Sequence, residues 1–156
     1  MTKILIFCLL ILMPDILGSQ DIKPFATAIY VKNLEISTQW YENVFNVKSY
    51  KSLSYPEYGT FRIELLGNDN LRFELVERDN SFSIRDLDPD YDIREMPLRG
   101  YYKIAFETED IESLYNKLKS NKVEFHWELN RDDELGIKTF IIKDPDENLI
   151  QFIERI

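Results

Sequence analysis

Two segments of the chain share one order of apolar and polar positions: a strand, a helix and three further strands. In the first segment, residues 25–32 are rich in apolar and β-branched side chains and predict a strand. Asn33 stands where a helix N-cap belongs, and Ile36, Trp40 and Val44 follow it at helical spacing. Strands are predicted at 47–53, 58–66 and 71–77, and the polar residues 67–70 predict a turn.

The second segment repeats this order. Residues 101–107 predict a strand and Asp110 is the candidate N-cap. One helical face is formed by Ile111, Leu114, Tyr115 and Leu118. Three strands follow at 123–128, 137–142 and 149–153, with a turn at 144–148.

The two segments superpose at one fixed offset of 77 residues. This offset relates Asn33 to Asp110 at one end and Glu77 to Glu154 at the other. A single offset at both ends indicates a duplication, although two amphipathic strand–helix units can also match by chance. The predicted fold class is α+β: two βαβββ modules forming a curved, half-open mixed β-sheet cup with the helices outside. Module one spans 24–77, a connector 78–99 and module two 100–156.

The connector is rich in Asp and Arg and contains Pro89 and Pro97. Such a composition is typical of a solvated linker. Long loops also carry function, so a flap over a pocket is the second interpretation.

Three stretches of the sequence resemble a known superfamily. Residues 144–152, DPDENLIQF, are the most specific; residues 28–37, AIYVKNLEIS, are moderately so, and 40–45, WYENVF, are weak. They are similar to the closing turn and strand, the opening strand and the first helix of the vicinal oxygen chelate superfamily. This is also called the glyoxalase, bleomycin-resistance and dioxygenase fold. The resemblance covers residues 25–156 and implies the same cup.

The resemblance also locates four positions on the floor of the cup. In metal-dependent members, side chains on the first and last strands of each module, usually His and Glu, hold a divalent ion. Carried over, these positions fall on Ala26, Glu74, Lys103 and Gln151. Alanine cannot ligate, an ammonium repels a dication and an amide is a weak ligand. The resemblance therefore implies no metal, no cofactor and no catalytic residue at this floor.

Lys103 and Glu74 leave three interpretations open. They form a salt bridge in place of the ion, they are separate surface side chains, or they recognise ligand charges. The sequence also has too few ligands for a metal site built from imidazole or thiolate groups, because His126 is the only histidine and Cys8 the only cysteine. An all-oxygen metal site is not excluded by composition, but nothing in the sequence marks one.

Strand alternation extends the floor into a predicted lining. If Ala26 and Glu74 face the cup, side chains two residues away along each strand face it too. The ligand-pocket candidates are Ala26, Tyr30, Arg72, Glu74, Lys103, Glu107 and Gln151. Their mixture resembles a small-molecule site. The alternative is a cup filled by its own side chains, with Phe125 and Trp127 as candidates to reach in, or by a partner subunit.

The first nineteen residues differ from the rest of the chain. Lys3 precedes an unbroken apolar run at 4–13, and Gly18 and Ser19 follow a break at Pro14. This order predicts a signal peptide at 1–19 and export to the periplasm or the medium. An uncleaved anchor is the alternative. Cys8 falls inside the apolar run, so the mature chain is predicted to lack cysteine.

The formal net charge of −9 bears on the partners. It argues against nucleic acid and against an anionic membrane surface, so no stable membrane insertion is expected after signal cleavage. It mildly favours a cationic or neutral ligand, or else only keeps the protein soluble. The resemblance implies a homodimer. Of the functions, a metal-free small-molecule binder ranks first, a structural module with a closed cup second, and a metal-dependent lyase, isomerase or dioxygenase third.

Overall fold

The two repeated segments fold as two βαβββ modules. The computed structural model describes residues 23–156, so the predicted signal peptide at 1–19 lies outside the described residues. Module one consists of β1 (Thr27–Tyr30), α1 (Leu34–Phe45), β2 (Lys48–Ser54), β3 (Phe61–Gly67) and β4 (Arg72–Arg78). The connector contains the short helix α2 (Ile84–Leu87). Module two consists of β5 (Ile104–Glu107), α3 (Ile111–Ser120), β6 (Phe125–Asp132), β7 (Ile137–Lys143) and β8 (Leu149–Arg155).

Each module forms a four-stranded mixed sheet with the same topology. The strand orders are β1-β4-β3-β2 and β5-β8-β7-β6, in which only the first and last strands of each module pair in parallel. The register repeats as well: Ala28 is opposite Glu74, and Ala105 is opposite Gln151, which are the same positions moved by 77 residues. The predicted α+β fold, two sheets forming a half-open cup, is therefore confirmed.

Both predicted N-caps are confirmed. The Asn33 side chain accepts the backbone N–H of Ile36 at 2.9 Å, and the Asp110 side chain accepts that of Ser113 at 3.0 Å. Each bond satisfies one donor that the first helical turn leaves without an intrahelical partner. Helix α1 ends at Asn46, whose φ of 52° lies in the left-handed region that asparagine tolerates.

Several local predictions are wrong. Ile36 was predicted at helical spacing with Trp40 and Val44, but it is exposed, and Ser37, which the pattern did not mark, is buried beside Tyr41 and Val44. The strand predicted at 101–107 begins only at Ile104, and the strand predicted at 123–128 is Phe125–Asp132. The strand predicted to begin at residue 58 begins at Phe61, because Pro56–Tyr58 forms a 3₁₀ turn. Proline at the start of this turn cannot donate to a sheet, which keeps the segment out of β3.

A single aromatic core joins the modules. The ring of Phe45, at the end of α1, lies 4.8 Å from the Phe73 ring of its own module. It also lies 4.9 Å from Phe106 and 5.8 Å from Phe152 of module two. Offset and edge-on ring contacts at these distances add to the stabilisation from burial. The two modules therefore share one core, to which each contributes aromatic side chains.

The turn between β7 and β8 also crosses from one module to the other. Asp144, almost fully buried, accepts a hydrogen bond of 2.8 Å from the Tyr41 hydroxyl of α1. Its other oxygen accepts the backbone N–H groups of Asp146 and Asn148. Burial raises the pKa of Asp144, and hydrogen bonds from Asn148 and Tyr41 oppose that rise.

A carboxylate on the last strand clamps the start of the helix in each module. Glu77 accepts the backbone N–H of Leu34 at 2.8 Å, and Glu154 accepts that of Ile111 at the same distance. A cation on the third strand binds each carboxylate. Arg62 lies 2.8 Å from Glu77, and Lys138 lies 3.8 Å from Glu154. The clamp is thus duplicated together with the fold.

We expect Glu77→Ala to lower the free energy of unfolding by about 1–2 kcal/mol, because the Leu34 N–H loses a charged acceptor at a helix start. Urea denaturation measures this. The control is Glu35→Ala, which removes the exposed second partner of Arg62 but keeps the backbone bond. A Glu35→Ala loss as large as that of Glu77→Ala would place the effect in the ion pairs rather than in the helix start.

The connector is anchored to module two at a few points. The Arg85 guanidinium lies 2.7 Å from the Glu147 carboxylate in the β7–β8 turn, and Tyr91 is buried. Most other connector residues are exposed. Across residues 23–156, no helix combines the length and the apolar character needed to traverse a membrane.

Candidate functional site

The face of each sheet opposite its helix forms the wall of the cup and is here called the cup face. On β4, Phe73 and Leu75 are buried on the helix side, and Phe73 contacts rings of α1. Side chains alternate along a strand, so Arg72 and Glu74 lie on the cup face. Residues that are directly opposite each other on paired strands lie on the same face of the sheet. The register therefore shows which side chains of the other strands lie on the cup face.

The floor residue on the last strand is bonded differently in the two modules. Gln151 is 9% exposed and donates through Nε2 to the Thr139 hydroxyl at 2.8 Å. That hydroxyl donates in turn to the Phe152 carbonyl at 2.8 Å. The Gln151 amide is therefore fixed by its own sheet. Glu74, its counterpart, is half-buried and has neither a hydrogen bond nor an ion pair among the described residues.

The first-strand positions of the floor bring no further ligand. Ala26 is exposed just before β1, and Lys103 is half-buried just before β5. The Lys103 ammonium lies 5.2 Å from the centre of the Tyr102 ring, a cation–π contact. The ion pairs within residues 23–156 do not join Lys103 to Glu74, so the salt bridge considered above is not formed.

The donor set on the floor does not fit the divalent ion of the superfamily's enzymes. It offers one carboxylate at Glu74 and one amide at Gln151, next to a methyl group and an ammonium. A dication needs several oxygen or imidazole donors around one point. Within the described part of the chain, no three His, Cys, Asp or Glu side chains converge in a way that could hold an ion.

The remaining predicted lining residues lie on the cup face and differ in their exposure and in their contacts. Tyr30 is 60% exposed at the end of β1. Glu107, at the end of β5, is bound to Arg155 at 3.0 Å. The Arg72 guanidinium lies 5.1 Å from the centre of the Phe25 ring. Glu107 is thus paired with a cation, whereas Arg72 forms no ion pair with any of the described residues.

Sequence reasoning missed residues of β2 that stand beside Arg72. A β-bulge between Ser49 and Lys51 leaves Tyr50 without a partner in the register. A Cβ added at Gly67 would lie 3.4 Å from the Tyr50 ring and 3.6 Å from Arg72 Cγ. Tyr50 and Arg72 thus meet over this glycine on the cup face. The run KSYKSLS gives no local signal for the bulge, which depends on the partner strand.

The residues of β6 divide between the core and the cup. Phe125 packs on Tyr115 and Phe140 at 5.0 and 5.6 Å, so it belongs to the helix side and does not reach into the cup. Trp127 is opposite Ile141 on the cup face and is 59% exposed. His126 is half-buried between them, two strands away from Gln151, and its pKa is lowered by burial and by Lys143.

Part of the cup face is covered within the chain. Ile63 and Val76 of module one are less than 9% exposed, as are Ile141 and Leu149 of module two. All four lie on the side opposite the helices by the register. The cup face is therefore partly covered, while Tyr30 and Arg72 of module one and Trp127 of module two are exposed on it.

Two hollows are present on module one. A groove of about 520 Å³ runs between α1 and the helix side of β2 and β3, and Arg62 lines it. The second, of about 450 Å³, is lined by Tyr50, Gly67, Asn68 and Arg72. The second hollow contains Arg72 and Tyr50 of the cup face.

Comparison with known proteins agrees with this architecture. Residues 23–152 match the family model of the Glyoxalase/Bleomycin resistance protein/Dioxygenase superfamily. No curated protein sequence matches the chain. A glyoxalase family protein from Enterococcus faecalis is similar in structure, with 21% identity, a TM-score of 0.70, and 85% of this chain and 97% of that chain covered.

Two more solved structures share the fold. The fosfomycin resistance protein FosX from Listeria monocytogenes is 18% identical, with a TM-score of 0.64, covering 86% of this chain and 94% of its own. The trypanothione-dependent glyoxalase I of Leishmania major is 20% identical, with a TM-score of 0.61, covering 83% and 84%. Identities this low show a common fold and do not identify the function.

Proposed function

Because the chain belongs to the Glyoxalase/Bleomycin resistance protein/Dioxygenase superfamily, we propose that it binds a small molecule in its sheet cup without using a metal ion. The observation that carries this proposal is the set of residues on the floor of the cup. Its four positions are Ala26, Glu74, Lys103 and Gln151, and the Gln151 amide is already hydrogen-bonded to its own sheet. An open face with exposed aromatic and charged side chains remains available for a ligand.

We expect purified protein to contain no stoichiometric divalent ion, and its melting temperature to be unchanged by EDTA. Mass spectrometry of the metals and a thermal-shift assay measure this. The matched control is a triple variant, Ala26→His, Lys103→His and Gln151→Glu, which supplies the missing donors. It should gain a manganese- or zinc-dependent rise in melting temperature. A metal that co-purifies with the unmodified chain and is lost to EDTA would contradict the proposal.

A metal-dependent activity is the weaker candidate. FosX from Listeria monocytogenes has been crystallised in complex with Mn(II) and a sulfate ion, so the fold does support such a site. In this chain, three of the four corresponding positions lack a carboxylate or imidazole. The same metal measurement separates the two functions.

A closed structural module is the second candidate, favoured by the burial of Ile63, Val76, Ile141 and Leu149 on the cup face. A binding cup and a closed one differ in their response to small molecules. Compounds that fit the cup raise the melting temperature if the cup binds small molecules, and they leave it unchanged if the cup is closed.

Export and dimerisation complete the proposal. Export rests on the apolar run at 4–13 and the small residues at 18 and 19. A homodimer is supported by large apolar side chains on the connector side of the molecule that are at least half exposed, namely Phe82, Leu87, Met96, Leu98 and Tyr101.

A further inference from the structure

The cup face of module one is positive in an acidic protein. The chain has a formal net charge of −9. By the register, the charged side chains on this face are four cations and one carboxylate: Lys48, Lys51, Arg72, Arg78 and Glu74. A local charge opposite in sign to that of the whole molecule attracts anions to this surface.

Within residues 23–156, these four cations form no ion pair with an acidic side chain. Eight other cations of the described chain form ion pairs: Arg62, Arg85, Arg94, Lys119, Arg131, Lys138, Lys143 and Arg155. The ion pairs within residues 23–156 include none of the four cup-face cations. Their charges repel one another and are available to an anionic ligand.

Arg72 contacts one aromatic ring and lies near a second. Phe25 lies under its guanidinium at 5.1 Å, and Tyr50 stands beside it above Gly67. The glycine leaves the space that a Cβ would take between them, within the hollow of about 450 Å³. Stacking orients the planar guanidinium and leaves its N–H groups free to bind a carboxylate or a phosphate.

The two carboxylates on the cup face do not cancel this positive charge. Glu74 is one carboxylate against four cations on the wall of module one, and Glu107 of module two is already bound to Arg155. An aromatic cation would therefore meet like charges on this wall. Resting on the proposed function, we infer that the ligand is an aromatic anion, whose acidic group binds Arg72 with Lys48 and Lys51, and whose ring packs on Tyr50 and Phe25.

Three naphthalene probes that share the same ring test which ligand charge the cup prefers. They are the anionic 2-naphthoate, the neutral 2-naphthalenemethanol and the cationic 2-naphthylmethylammonium. Fluorescence titration should show naphthoate binding most tightly, with an affinity that falls as salt is raised. Arg72→Gln should weaken naphthoate binding at least tenfold, the effect of losing one charge-assisted hydrogen bond. Its control, Lys117→Gln, makes the same charge change on α3, outside the cup, and should leave binding unchanged.

The outcomes separate this inference from the proposed function. If the neutral or cationic probe binds as tightly as naphthoate, or Arg72→Gln and Lys117→Gln are equivalent, the cup binds small molecules but does not select anions. If none of the three probes binds, both the inference and the binding function are overturned. Naphthoate selectivity that disappears in Arg72→Gln supports both.

Discussion

Phe45→Ala should lower the free energy of unfolding by about 4 kcal/mol, the typical loss for truncating a buried phenylalanine. The ring of Phe45 contacts Phe73 within its own module and Phe106 and Phe152 in the other. Its removal leaves a cavity at the point where the two modules meet. Since a domain of this size is stabilised by about 5–15 kcal/mol, this single substitution should remove a quarter or more of the total.

Urea denaturation followed by circular dichroism measures this effect. Ile36→Ala is the control on the same helix, because Ile36 is 59% exposed. Its loss should stay within about 0.5 kcal/mol, as for other surface substitutions. Equal losses in the two variants would show that α1 packs through a different face from the one described.

Asp144→Ala should lower the free energy of unfolding by about 3 kcal/mol, since it leaves one buried and two partly buried donors without an acceptor. These donors are the Tyr41 hydroxyl and the backbone N–H groups of Asp146 and Asn148. The matched control is Asn68→Ala in the β3–β4 turn. Asn68 accepts two backbone N–H groups in the same way but is exposed, so its loss should be about 1 kcal/mol.

The pH dependence of this residue follows from its raised pKa. The folded state binds a proton at Asp144 more readily than the unfolded state, so this group contributes stability as the pH falls toward the ordinary Asp value of 3.8. Asp144→Asn cannot take up that proton. Its destabilisation relative to the original chain should therefore be smallest near neutral pH and grow on acidification, as urea titrations at several pH values will show. A difference that shrinks on acidification would mean that hydrogen bonding outweighs burial.

The features predicted correctly from the sequence depend on neighbours along the chain. Asn33 and Asp110 were identifiable as N-caps because a capping side chain acts within three residues of itself. The duplication was visible because the same register requires the same spacing, as the pairs Ala28–Glu74 and Ala105–Gln151 confirm.

The features that were missed depend on partners far away in the chain. Ser37 is buried, and its hydroxyl donates to Asp146 of module two at 3.3 Å, 109 residues away. No local pattern distinguishes it from an exposed serine. The position of Tyr50 on the cup face depends on the bulge formed against β3. The positive sign of that face was missed for the same reason, since the net charge of −9 averages over surfaces that the fold separates.

The shared aromatic interior has a consequence for the origin of the protein. One module alone would expose Phe45 and Phe73 to water, because Phe106 and Phe152 of the other module cover them. A single repeat unit of this kind cannot enclose its apolar face unaided. An ancestral gene encoding only one unit would thus have needed two identical chains associated through these rings, and fusion would have converted a self-complementary pair into one polypeptide. The two halves were then free to diverge, as Glu74 of the first and Gln151 of the second show at one matched position.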